Sequence, residues 1–173
     1  MKRLITALMI GTLGGGIAGF AAGIFVYPFW FLTDIAHETL SGDIQRTRIA
    51  AGEFIHVNRS DPVHWGKGSV SVYREGRGRA IVHLQDDFEV GPGPRFHVYL
   101  VDRSTVSSGD DFVASRKVDL GRLRAFQGSQ IYPVPADVDV ATFKSVVVWC
   151  KEFGVLISPA ALMKSGPKVA SSN

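Results

Sequence analysis

No charged residue occurs between Leu4 and Leu32, and this run governs the organisation of everything after it. A helix needs about 20 apolar residues to cross the hydrocarbon of a bilayer, so the run is long enough to span. The core of a cleavable signal peptide is shorter, about 7–15 residues, and closes on a small-x-small site. Here the apolar sequence continues past Ala21 and Ala22 through Ile24-Phe25-Val26-Tyr27-Pro28-Phe29-Trp30-Phe31, which favours a retained anchor over 1–32. Tyr27 and Trp30 stand where aromatic rings prefer the membrane interface. Lys2 and Arg3 precede the run, and Asp34 and Glu38 follow it. The positive-inside rule then predicts a single-pass signal-anchor in the lipid membrane, with a cytoplasmic N-terminus and an extracytoplasmic C-terminal domain, periplasmic or at the cell surface. Gly11, Gly15, Gly19 and Gly23 recur every four residues and share one helix face. Such a stripe permits close approach of a second helix and predicts helix-mediated self-association, although Gly14 and Gly16 fall outside it.

The anchor also accounts for most of the charge. The chain carries 19 Lys and Arg against 16 Asp and Glu. Setting aside Lys2 and Arg3 leaves 17 against 16, or +1. A near-neutral domain lacks the basic face that nucleic acid requires, so no nucleic-acid partner is expected. The run from Arg74 to Arg79 is short and sits at a hairpin tip, where solvated charges are ordinary. The sequence has no Gly-x-Ser-x-Gly elbow and no phosphate-binding glycine loop, so hydrolase and kinase chemistry have no positive support.

Residues 33–51 alternate in charge through Asp34, Glu38, Asp43, Arg46 and Arg48, without an apolar face. They read as a linker or a short amphipathic helix, and of the two a solvated stalk is favoured. From Gly52 onward short alternating runs are broken by turn residues, the signature of an all-β fold. Ser69 to Tyr73 and Ala80 to Leu84 flank the turn Glu75-Gly76-Arg77-Gly78 and predict a hairpin. Gly91-Pro92-Gly93-Pro94 is a rigid break. Phe96 to Val101 is the next strand, with Phe96, Val98 and Leu100 on one face. Lys117 to Leu120, Gln130 to Val134, Phe143 to Lys151 and Phe153 to Ile157 complete the set. The spacing predicts an antiparallel β-sandwich or barrel-like domain over 52–163, with a flexible tail over 164–173.

The segment Ser145-Val146-Val147-Val148-Trp149-Cys150 is nearly apolar on both faces, as in a central strand covered on both sides. Cys150 is the one cysteine, so no internal disulfide forms. Alternation places Cys150 with Val146 and Val148, sends Lys151 to the other face, and returns Glu152 to the side of the thiol, where a carboxylate would raise its pKa. Two readings follow. Cys150 is a buried small hydrophobe, or it is a redox thiol at a strand end with Trp149 beside it. His37, His56, His64, His83 and His97 show no zinc or haem-attachment spacing. A haem or metal site would need His83 or His97 to converge with other groups across strands. Asp86-Asp87, Asp110-Asp111 and Asp137-x-Asp139 lack EF-hand spacing and read as turn formers.

From Gly52 to Leu162 the chain resembles the electron-transfer DM-thirteen domain family. The residues that carry the resemblance are Gly52-Glu53-Phe54, Trp65-Gly66-Lys67-Gly68-Ser69-Val70, Gly91-Pro92-Gly93-Pro94-Arg95-Phe96-His97-Val98-Tyr99-Leu100, Val118-Asp119-Leu120-Gly121-Arg122-Leu123, Gly128-Ser129-Gln130-Ile131-Tyr132-Pro133-Val134-Pro135, and Val146-Val147-Val148-Trp149-Cys150-x-x-Phe153. The last is the most specific. Arg95 departs from the pattern, since the family often carries an acidic residue after the Gly-Pro turn. The resemblance implies a β-sandwich-like domain, a redox role resting on Cys150, and an electron-transfer protein as partner. Reversible thiol oxidation would run through sulfenic acid or a mixed disulfide. The alternative is a non-catalytic binding or structural module of the cell envelope, with Cys150 buried in its core.

Overall fold

A computed structural model of the chain describes residues 2–31, 35–42, 44–76 and 78–164. Helix α1 (Lys2–Phe31) forms from the uncharged run. Six glycines would weaken such a helix in water. In lipid, where no solvent satisfies the backbone, the helical hydrogen bonds are the remaining option for one segment. Ile5–Ile24 is long and apolar enough to cross a membrane, or to serve as a signal sequence, and none of it is buried inside the protein. The side chains of Tyr27 and Trp30 lie outside what the structure describes, as do Asp34, Asp43, Arg77 and residues 165–173.

The rest is mostly β-sheet. In chain order the strands are β1 (Ala36–His37), β2 (Arg46–Glu53), β3 (Gly66–Lys67), β4 (Ser69–Glu75), β5 (Arg79–Leu84), β6 (Glu89–Val90), β7 (Phe96–Val101), β8 (Lys117–Arg122), β9 (Gly128–Pro133), β10 (Ser145–Cys150), β11 (Val155–Ala161) and β12 (Met163–Lys164). A six-stranded sheet runs β1-β9-β5-β4-β2-β12, a four-stranded sheet β11-β10-β7-β8, and β3 pairs with β6. Every pairing is antiparallel except that of β1 with β9. The sheets do not close into a barrel among the described residues.

The main core lies between the two large sheets. Val70 and Val72 of β4, Val82 and Leu84 of β5 and Tyr132 of β9 meet Phe96, Val98 and Leu100 of β7 and Val146, Val148 and Cys150 of β10. The period-two pattern read from the sequence is therefore the pattern that fills the sandwich. The expected hairpin is β4 with β5, in register from Val70 opposite Leu84 to Glu75 opposite Arg79.

β10 has no polar face because a second cluster covers its back. Val147 and Trp149 pack with Tyr99, Val101, Val106 and Phe112. Phe112 comes from the short helix α2 (Gly109–Val113), which a capping box between Ser108 and Asp111 starts. The Asp110-Asp111 pair thus serves a helix end. Asp87 likewise accepts hydrogen bonds from the Ser69 N–H and hydroxyl at 2.9 Å each, and Asp139 caps the 3-10 turn Val140–Thr142.

The stretch expected to be a solvated stalk is where the structure differs most. Within 33–51, Ala36 and His37 pair with Gly128 and Ser129, and Arg46 to Ala51 belong to β2, which pairs with β4. Glu38 fastens β1: its carboxylate takes the Arg124 guanidinium at 2.6 and 2.7 Å and the Ile131 N–H at 2.8 Å. Arg46 likewise meets Glu75 at 2.7 Å. Glu38 and Arg46, two of the alternating charges, are thus partners of distant residues. The inward residues of β2 include Ala50 and Gly52, too small to register as an apolar period. They are small because the neighbouring strand crowds them: a Cβ on Gly52 would lie 2.2 Å from the carbonyl oxygen of Ala161.

Candidate functional site

β10 ends at Cys150, which faces Phe96 of β7 on one side and Val155 of β11 on the other. The next four residues form a tight turn closed by the Gly154 N–H donating to the Cys150 carbonyl at 2.9 Å. Gly154 has φ +63°, a conformation that costs other residues roughly 1–2 kcal/mol. The turn redirects the chain, so strand alternation stops applying after Cys150. Glu152, expected beside the thiol, instead turns outward to Arg95 at 3.3 Å. Lys151 does point away, and its ammonium meets Asp119 at 3.1 Å.

The turn and two loops enclose a cavity of about 490 Å3. Its walls are apolar: Pro62, Val63, Pro92, Pro94, Phe153 and Val155 among them. Two residues with polar side chains are among its lining, Cys150 and His64. Cys150 is only 1% exposed, so it forms part of the inner wall and not of the surface.

His64 is held by a local turn. Asp61 Oδ1 accepts from the backbone N–H groups of Val63 and His64 at 2.9 and 3.0 Å, and Oδ2 takes His64 Nδ1 at 2.7 Å. The bond from the His64 ring, together with those N–H groups, lowers the Asp61 pKa to about 2. An ionised Asp61 can only accept, so Nδ1 carries a proton. His64 Nε2 has no protein partner among the described residues.

Trp149 belongs to the other face of the sheet. Its ring stacks on Phe112 with centroids 4.1 Å apart and planes 17° apart, away from the cavity. It neighbours Cys150 along the chain without sharing its pocket. The two strand histidines do not converge. His83 projects from the outer face of the six-stranded sheet, where its Nε2 meets Ser129 Oγ at 2.7 Å; burial pushes its pKa down. His97 projects from the outer face of the four-stranded sheet and meets Asp119 at 2.9 Å. Partial burial pushes Asp119 upward, but bonds from His97, the Gly121 N–H and Lys151 outweigh it and hold the carboxyl below its usual range. No group of three or more His, Cys, Asp or Glu residues among the described ones is arranged to hold a metal ion. The four-spaced glycines of α1 have open space around them.

Sequence reasoning singled out Cys150 but not the loops around it. One signal was present in register. Cys150 lies opposite Phe96, which follows the rigid Gly-Pro break, so that break had to lie beside the thiol. A second was Asp61-x-x-His64, the spacing of a carboxylate that closes its own turn.

A family model described as Electron transfer DM13 matches residues 54–162. No curated protein and no solved structure matches the chain.

Proposed function

Because the chain belongs to the electron-transfer DM13 family, we propose that its β-domain is a redox accessory module in which Cys150 is the working group. The observation that carries this reading is that Cys150, although packed in the core, is also among the residues that line a cavity. Access through that cavity suits a small reactant. With a peroxide, the thiolate sulfur attacks one oxygen, the O–O bond breaks, and the products are a sulfenic acid and water or an alcohol. A thiol reductant returns the sulfur to its starting state, so the cycle needs a partner on each side.

The reading includes the placement of the domain. α1 would hold it at a membrane with the N-terminus in the cytoplasm, since Lys2 and Arg3 precede the apolar run and acidic residues follow it. An extracytoplasmic thiol without a disulfide partner would be exposed to oxidants. Gly11, Gly15, Gly19 and Gly23 would bring two anchors together. Membrane crosslinking of Gly15→Leu with Gly19→Leu should lower the dimer yield; an unchanged yield removes that element.

The test of the main reading is thiol chemistry on the folded full-length chain in membranes. A maleimide should label Cys150 slowly, and peroxide should yield a sulfenic acid trapped by dimedone. Labelling should vanish in Cys150→Ser. A thiol that resists both reagents until the protein is unfolded would defeat the proposal. That result would support the second reading, a non-catalytic envelope module. The 1% exposure of Cys150, packed with Val146 and Val148, favours that alternative.

A further inference from the structure

We infer that the cavity beside Cys150 binds the ring of a lipid-soluble quinone. This rests on the redox reading of the domain and names the class of small molecule that meets the thiol.

The first argument is size. A volume of about 490 Å3 lies inside the roughly 300–1,000 Å3 typical of small-molecule sites. The second is lining. Prolines at 62, 92 and 94 fix the backbone of the walls, and Phe96 and Phe153 add aromatic side chains to the lining. Such a wall stacks a flat apolar ring and gives little to a sugar, a nucleotide or a metal ion. Apolar walls that are already ordered also spare a ligand the entropy of arranging them.

The third argument is the placement of the polar groups. A quinone ring carries two carbonyl oxygens, and its reduced form carries two hydroxyls. His64 matches both states. With Nδ1–H held by Asp61, the neutral ring presents Nε2 as an acceptor for a quinol hydroxyl. When Nε2 is protonated, the same atom donates to a quinone carbonyl, with the ionised Asp61 beside it to balance the charge. A purely aliphatic ligand would leave the imidazole unanswered.

The fourth argument is the entrance. Ile24, in the last turns of the apolar helix, lines the same cavity. The cavity therefore adjoins the apolar helix, the side from which a hydrophobic molecule dissolved in lipid would arrive.

The test uses the full-length protein in liposomes with an azido-substituted benzoquinone bearing a decyl tail. After illumination, adducts are mapped by peptide mass spectrometry. Adducts should fall on the peptides containing Pro62 to His64 and Phe153 to Val155. An excess of unlabelled, fully ring-substituted decyl-benzoquinone should reduce them at least tenfold, and decanol should not. Phe153 is 56% exposed, so Phe153→Asp places a charge at the cavity wall without opening the core. It should cut labelling at least tenfold while leaving the circular dichroism unchanged. Adducts confined to α1, or equal competition by decanol, would overturn the inference, the latter by identifying an acyl-chain site. Thiol reactivity measured on the same sample separates the two claims. A reactive Cys150 without quinone adducts sinks the inference and leaves the redox reading. Mapped adducts beside an inert thiol do the reverse.

Discussion

Gly52→Ala decides whether residues 46–53 are part of the folded domain or the end of a linker. The two cases differ in outcome, no change against a loss of stability. On a free linker, replacing Gly by Ala is neutral, because the residue loses the same freedom in the folded and unfolded states. In the structure the new Cβ would lie 2.2 Å from the carbonyl oxygen of Ala161. That is about 0.8 Å inside the 3.0 Å that Cβ atoms keep. The obstacle is backbone, held in place on one side by the pairing of Ser145 with Ala161. On the other side Gly52 is paired with Val70. Neither partner can swing aside as a flexible side chain would. Relief requires β2 to move from β11 and β12, and overpacking of this kind costs typically 1–3 kcal/mol. For a domain of about 130 residues, Ala36 to Lys164, that corresponds to a melting point lowered by roughly 4–11 °C. The assay is urea unfolding of the full-length protein in mild detergent, followed by tryptophan fluorescence, with Asn58→Ala as a surface control. The expected result is a lower midpoint with an unchanged slope. A midpoint equal to wild type or above it would refute the placement of β2 in the sheet.

Three further outcomes follow from the packing. Cys150→Ala removes one sulfur from the core and should cost only about 1 kcal/mol by urea unfolding, close to a methylene deletion; a loss of redox response with so small a change separates chemistry from folding, and an unaltered response would speak for the structural role. Phe112→Ala withdraws the ring that stacks on Trp149 at 4.1 Å. It should cost roughly 3–5 kcal/mol and shift tryptophan emission to longer wavelength; an unshifted spectrum would mean that Trp149 does not rely on α2. Acidification should weaken the fold through His83, whose pKa burial holds below the usual 6.5. The unfolded chain takes up the proton first, so stability is full above about pH 6.5 and declines below it until the buried ring itself protonates. His83→Gln should flatten that part of the urea-midpoint profile between pH 7.5 and 5, and an identical profile would place the dependence elsewhere.

What could be read from the sequence was whatever depends on neighbours along the chain. Alternation found β4, β5, β7 and β10, because each presents large apolar residues to one core at period two. The double-sided character of β10 was legible too, since Val147 and Trp149 are as apolar as Val146 and Val148. The strands β1 and β2 were not legible. Their inward residues are small, and their charged residues look solvated until Glu38 meets Arg124 and Arg46 meets Glu75, 86 and 29 residues away. The candidate site divides in the same way. Cys150 stood out as a residue type at a strand end. The cavity depends on a loop at 62–64, a break at 92–94 and a turn at 153–154 meeting in space. Alternation also misplaced Glu152, because a period-two argument holds only while the strand lasts, and Gly154 ends it.

The fastening of Ala36 to the edge of the sheet sets a leash. Were residues 32–51 free, about 21 residues would separate the helix from the domain and allow a reach of up to roughly 70 Å. Pinned at Ala36, the domain is only five residue steps from Phe31 at the end of the helix, at most roughly 18 Å, little more than the radius of gyration of a domain this size, about 13 Å. A fourfold shorter reach shrinks the volume the domain can search by a factor of order sixty. Any partner seated beside the same helix would meet the domain at a local concentration higher by a similar factor. Contacts too weak to be detected between separated molecules would then suffice, and the module would serve its immediate neighbour in preference to distant ones.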